Sequence, residues 1–109
     1  IVGERRANEI VFTGGAFGAA EALDWGILNR VCSARELMPA AIATAELIVA
    51  NAPLAVLQAK KAIHQGLQMD IRTALRFEVE AYNRLTVTED RREGVLAWNE
   101  RRKPFFKGR

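Results

Sequence analysis

The sequence predicts a mainly α-helical chain. Apolar residues recur at spacings of three and four through most of its length. Helix-start and helix-stop residues punctuate it, among them Ser33, Pro53 and Thr88 on one side and Gly14, Gly26 and Gly66 on the other. Only one short stretch, residues 27–32, reads as extended.

The elements follow in order. Residues 1–13 form the end of a helix, because Ala7, Ile10 and Val11 share a face, and "TGG" at 13–15 stops it. A short helix spans about Ala19 to Trp25, with Gly26 as its left-handed C-terminal residue. "ILNRVC" at 27–32 is the extended piece. Ser33 and Glu36 have the spacing of a capping box, although Pro39, harmless only in a first turn, shifts the expected helix start to about residue 35 or 36. An alanine-rich helix then runs to Asn51, and Pro53 opens the next as a first-turn residue. That helix covers 54–66. A long helix is expected from about Asp70 to Val87, and Thr88, Glu89 and Asp90 supply an N-cap and an acidic first turn for a last helix ending before Pro104.

At 109 residues the chain is one domain's worth, or part of a larger unit. Half of its residues are hydrophobic and 27% are charged, a globular rather than a disordered composition. No apolar run approaches the roughly 20 residues of a membrane span, so a soluble chain without a membrane partner is expected. One cysteine and one histidine are too few for a His/Cys metal cluster, and a lone Cys32 fits a reducing, cytoplasmic compartment. The chain opens on Ile1 with no signal-peptide layout, so an upstream portion is expected. The "IVG" opening is shared with activated trypsin-like proteases, but those need several disulfides and a longer chain.

The charge is uneven. Residues 88–109 hold seven Lys/Arg against four Asp/Glu, whereas residues 1–87 hold nine of each, so the whole excess of +3 lies in the last fifth of the chain. Phe105 and Phe106 sit inside that basic run, which makes solubility an incomplete explanation.

Candidate functional residues are few. On the long helix, Arg72, Arg76, Glu80, Asn83 and Arg84 share a polar arc of roughly 120°. Glu78 falls in the middle of the opposite, apolar arc, where an unpaired carboxylate is costly. Lys60 falls among Val56, Ala59, Ile63 and Leu67 on the preceding helix, so a buried Lys60–Glu78 ion pair is expected in preference to a general acid at Glu78, whose face carries no second carboxylate or histidine. His64 lacks any nucleophile turn of the GxSxG kind to serve and reads as a surface or packing residue. "TGGAFG" follows a helix and lacks the phosphate-loop lysine, so it reads as a turn. Cys32 reads as a small buried apolar residue.

Three blocks carry a family resemblance: "ANEIVFTGGAFGAAEALDWGILNRV", "NAPLAVLQAKKAI", and "TEDRREG" with "ERRKPFFKGR". Together they resemble the C-terminal part of the enoyl-CoA hydratase/isomerase (crotonase) family, essentially over the whole chain. The resemblance implies the helical end of a crotonase-like (ClpP/crotonase) α/β spiral fold, with residues 1–31 closing the spiral core and 32–109 forming the helical segment that trimerises and closes the CoA site. It implies an acyl-CoA thioester as substrate, with coenzyme A part of that substrate and no separate cofactor. A homo-oligomer, a trimer or dimer of trimers, is the implied assembly, and the catalytic residues lie upstream. By position in the family's pattern, Tyr82 lines the acyl pocket, while Trp98 and Arg101 approach the adenine and phosphates of CoA. In relatives these two positions are commonly Phe and Lys; Arg keeps the charge and changes the phosphate geometry. The implied reaction is hydration of a 2-enoyl-CoA, with isomerase or other crotonase chemistry as the alternative. A small basic helical module that binds nucleic acid through residues 101–109 is the reading from another class, but Glu89, Asp90, Glu93 and Glu100 interrupt its basic face.

Overall fold

A computed structural model describes residues 1–109. It contains six helices and no strand: α1 (Gly3–Thr13), α2 (Ala19–Asp24), α3 (Ala34–Val49), α4 (Pro53–Gly66), α5 (Ile71–Asn83) and α6 (Glu89–Asn99). The helical reading holds along the chain. Its contacts fall into two units, Ile1–Ala41 and Ile42–Arg109, with the division inside α3.

In the first unit, α1 ends where Gly14 turns left-handed (φ 61°) and its N–H reaches the Ile10 carbonyl. The Thr13 hydroxyl closes the same turn by donating to the Glu9 carbonyl at 2.7 Å. At the end of α2, Gly26 is also left-handed, and the N–H groups of Gly26 and Ile27 cap the Leu23 and Ala22 carbonyls at 2.9 Å each. Both positions need φ > 0, which glycine adopts without a Cβ clash. Phe17 and Trp25 pack with ring centroids 4.9 Å apart, and the Arg6 guanidinium stacks 4.7 Å from the Trp25 centroid. The extended reading of 27–32 forms no strand. A strand needs a neighbour's backbone groups, and the N–H of Leu28 turns back to the Ala22 carbonyl instead.

Helix α3 begins at Ala34, earlier than Pro39 suggested, and carries Pro39 inside it. Glu36 makes this start workable. Its carboxylate accepts the Ser33 N–H at 3.2 Å and the Ser33 hydroxyl at 2.7 Å. The box is therefore half-formed: the hydroxyl donates to Glu36 rather than accepting from the backbone. At the far end, the Asn51 side chain caps the Leu47 carbonyl at 2.7 Å.

In the second unit α4 and α5 form an antiparallel pair, with Gly66 so placed that a Cβ there would touch the Ala74 side chain at 3.5 Å. Asp70 caps α5 by accepting the Arg72 and Thr73 N–H groups at 3.1 Å each and the Thr73 hydroxyl at 2.5 Å. The Thr73 hydroxyl, followed by that residue's N–H, holds the Asp70 carboxyl below its ordinary range. The helix is shorter than its periodicity suggested. It stops at Asn83, and a series of turns covers 84–88, with the Thr86 and Thr88 hydroxyls donating to the Asn83 and Leu85 carbonyls. Thr88 is the N-cap of α6, accepting the Arg91 N–H at 3.1 Å.

The buried set is small: Ala22, Ala81, Ala97 and, alone among charged residues, Asp90. Ile63, Leu67, Ile71, Val79, Val87 and Trp98 all remain more than half exposed. These helices therefore present wide apolar faces that the 109 residues do not themselves cover. No single helix is long and apolar enough to cross a membrane.

Candidate functional site

Two largely apolar grooves lie in the second unit. The larger, about 580 Å³, runs between α4 and α5 and is lined by Ala59, Ala62, Ile63, Ala74, Leu75 and Tyr82, with Glu78 among them. The second, about 400 Å³, lies between the start of α4, the end of α5 and α6, and holds Tyr82, Leu85, Arg91, Val95, Trp98 and Phe106. Tyr82 belongs to both and marks their junction.

Glu78 does occupy the middle of the apolar face of α5, as the periodicity requires. It does not meet Lys60. Both residues are exposed, and no ion pair joins them. The face of α4 that lines the groove is centred on Ala55, Ala59 and Ala62, and at 100° per residue Lys60 points roughly 130° away from that centre. The small alanines leave the groove open enough for the Glu78 carboxylate to stay in water. His64 is exposed at the end of α4, and Cys32 is half-buried rather than enclosed.

The basic tail is bound, its backbone by Asp90 and Glu93, and its last residue, Arg109, pairs with Glu89 at 3.1 Å. Asp90, 3% exposed, accepts the backbone N–H of Lys107 at 2.6 Å and of Gly108 at 2.8 Å, while its own N–H donates to the Arg109 carbonyl at 3.2 Å. The tail thus satisfies a backbone donor at the start of α6 that no intrahelical partner can reach. Glu93 accepts the Phe105 N–H at 2.7 Å and a two-pronged contact from Arg102, at 2.6 and 2.9 Å. Arg102 also donates through Nε to Glu100 at 2.6 Å. The Arg102 fork, followed by the Phe105 N–H, holds the Glu93 carboxyl down at about 2, and Glu93 in turn raises the Arg102 guanidinium above its ordinary value. Phe106 faces Gly94, whose missing Cβ would stand 3.7 Å from its ring. Phe105 points outward at 72% exposure, so only one of the two tail aromatics packs inward.

Arg101 is the one non-glycine residue with positive φ, at 53°. Helix α6 ends at Asn99. The N–H of Arg101 donates to the Trp98 carbonyl at 3.2 Å and that of Arg102 to the Ala97 carbonyl at 3.0 Å, the paired bonds of a Schellman ending. Arg101 stands where glycine is usual, and its side chain is exposed and makes no hydrogen bond or ion pair. The last helix, expected to run up to Pro104, therefore ends between Trp98 and Arg101. Of the three candidate ligand residues, Tyr82 and Trp98 share a groove and Arg101 lies outside it.

The sequence profile of the enoyl-CoA hydratase/isomerase family matches residues 1–109. The chain belongs to that family. It is 44% identical over 103 residues to the short-chain-enoyl-CoA hydratase of Clostridium acetobutylicum, covering 94% of this chain and 40% of that one. It is 42% identical over 106 residues to the carnitinyl-CoA dehydratase of Escherichia coli K12, covering 94% and 41%. The crystal structure of enoyl-CoA hydratase from Bacillus anthracis superposes with a TM-score of 0.96 at 41% identity, over 99% of this chain and 42% of that one. The crotonase chain described here thus spans about two fifths of the length of the relatives it matches.

Within this crotonase segment, sequence reasoning missed the roles of Asp90, Glu93 and Arg102. Glu93 registered only as an interruption of a basic face, and Asp90 as that and as a first-turn acid of the last helix. Their spacing of three puts them on one side of α6, and a tail of Pro and Gly just beyond the helix was the available signal that backbone donors would come back to meet them.

Proposed function

We propose that the chain is the C-terminal helical segment of an enoyl-CoA hydratase that adds water to 2-enoyl-CoA thioesters, and that its part is to hold the substrate. In this reading residues 1–31 close the spiral core and 32–109 help to form a trimer and close the CoA site. Backbone N–H groups and carboxylates upstream stabilise the thioester enolate and move the proton. The segment alone is then inactive. Tyr82 lines the acyl pocket, while Trp98 and Arg101 meet the nucleotide end of CoA, which offers phosphate charge and a flat adenine.

The observation that supports this most is Arg101. A left-handed L-residue costs about 1–2 kcal/mol, and the fold would be satisfied by glycine. Strain of this kind persists where a side chain is needed, and the side chain here is an exposed, unpaired guanidinium. In the full-length enzyme, Arg101→Ala should raise KM for CoA thioesters by an amount equivalent to about 1–3 kcal/mol, as loss of a charge-assisted hydrogen bond does. Pantetheine thioesters, which lack the nucleotide, should be affected far less. An equal loss for both substrate types would place Arg101 in the fold rather than at CoA. The carnitinyl-CoA dehydratase relative supports a second reading with the same CoA contacts, in which water is eliminated from a different acyl group.

A further inference from the structure

We infer that Glu93 and Arg102 are positioning residues for Arg101, forming a grip that keeps its backbone left-handed and its guanidinium turned outward for the ligand. The inference rests on the CoA reading above and deepens it.

Residues 101–103 are three consecutive cations, Arg101, Arg102 and Lys103, yet only the middle one is paired. Arg102, the residue just after the strained one, is bonded back to two acids that precede it. Its Nε meets Glu100, the residue just before Arg101, at 2.6 Å, and its two Nη groups meet Glu93 at 2.6 and 2.9 Å. The same Glu93 oxygen that accepts Nη1 also accepts the Phe105 N–H at 2.7 Å, which ties down the chain beyond Pro104. Arg101 therefore lies between the end of α6 and a following chain that is fixed to one carboxylate of that helix at Arg102 and again at Phe105. With neither end free to rotate, the segment cannot relax to the right-handed conformation that an arginine prefers. Glu93 also decides which of two adjacent arginines faces inward. A single planar carboxylate accepts one guanidinium fork, and once Arg102 has taken it Arg101 is left for a ligand. Backbone capping alone does not make this choice, because Schellman bonds fix φ and ψ but do not name the side chain that is engaged.

The grip predicts that Glu93 acts on CoA through Arg101 and through nothing else. In the full-length enzyme, Glu93→Gln weakens the charged fork while keeping the side chain's shape. Releasing Arg101 to its preferred backbone lowers the competent fraction, which raises KM for a CoA thioester by about 3- to 30-fold. The value of kcat and the KM of the pantetheine thioester should hold. The decisive measurement is the cycle with Arg101→Ala: Glu93→Gln should add no further rise in KM once Arg101 is gone. If Glu93→Gln perturbs folding, Arg102→Lys takes its place in the same cycle, since it keeps the charge and loses the bidentate geometry. A rise of the same size in the Arg101→Ala background, or for both substrates alike, overturns the grip. An Arg101→Ala enzyme with unchanged KM for CoA thioesters would instead remove the CoA reading on which the grip rests.

Discussion

Replacing Arg101 by glycine separates what this residue does for the fold from what it does for the ligand. At φ 53° in a Schellman ending, Arg101 carries a left-handed penalty of about 1–2 kcal/mol. Glycine removes that penalty and adds back about 0.5–1 kcal/mol of unfolded-state entropy. The net expectation is a gain of roughly 0.5–1 kcal/mol, or about 1–4 °C in Tm for an enzyme of its relatives' length. No compensating loss of contacts is expected, because the Arg101 side chain is unpaired and exposed. Over the same substitution, binding of a CoA thioester should weaken by about 1–3 kcal/mol, a roughly 5- to 150-fold rise in KM. Arg101→Asn should resemble glycine in stability, since Asn tolerates the left-handed region, and should resemble it in lost binding. The assay is a thermal melt and steady-state kinetics on the full-length enzyme and the two variants. If Arg101→Gly lowers Tm, the backbone is not strained as argued. If it raises Tm and leaves KM unchanged, the strain serves no ligand.

Three further outcomes follow from the same geometry. Asp90→Ala should cost about 1–3 kcal/mol in chemical denaturation, because the Lys107 and Gly108 N–H groups lose a buried acceptor; a loss below about 0.5 kcal/mol would show that the tail is not held there. The Glu93 carboxyl, lowered from 4.5 to about 2 chiefly by Arg102, contributes stability that is complete above the higher value and is lost as pH falls toward the lower. Protection of the Phe105 amide against hydrogen exchange should therefore hold down to about pH 4.5 and decline below it, and a constant protection factor through that range would contradict the pairing. Glu78→Gln should change the stability of the 109-residue chain by less than about 0.5 kcal/mol, as surface changes do; a loss of about 3–5 kcal/mol would restore the buried ion pair that the structure does not form.

The helices, their caps and the family were legible in the sequence because each depends on residues close together along the chain. Thr88 caps α6 and Pro53 opens α4 through contacts within four residues, and Gly14 and Gly26 turn left-handed because of what they lack. Periodicity likewise placed Glu78 at the centre of an apolar face, a statement about one helix. It failed when extended to two. Whether Lys60 could reach Glu78 depended on how α4 is rotated about its axis against α5, and it is the alanine face of α4, not Lys60, that is turned toward α5. The tail shows the same division. Its charge excess and its two aromatics were plain in the composition, but which cation is paired and which is free was decided only when residues 9 to 18 positions apart met, Glu93 with Arg102 and Asp90 with Gly108. Guanidinium and backbone N–H donors draw on the same few carboxylates, Glu93 accepting both kinds and Asp90 only backbone, and only the folded geometry settles which donor reaches which acid.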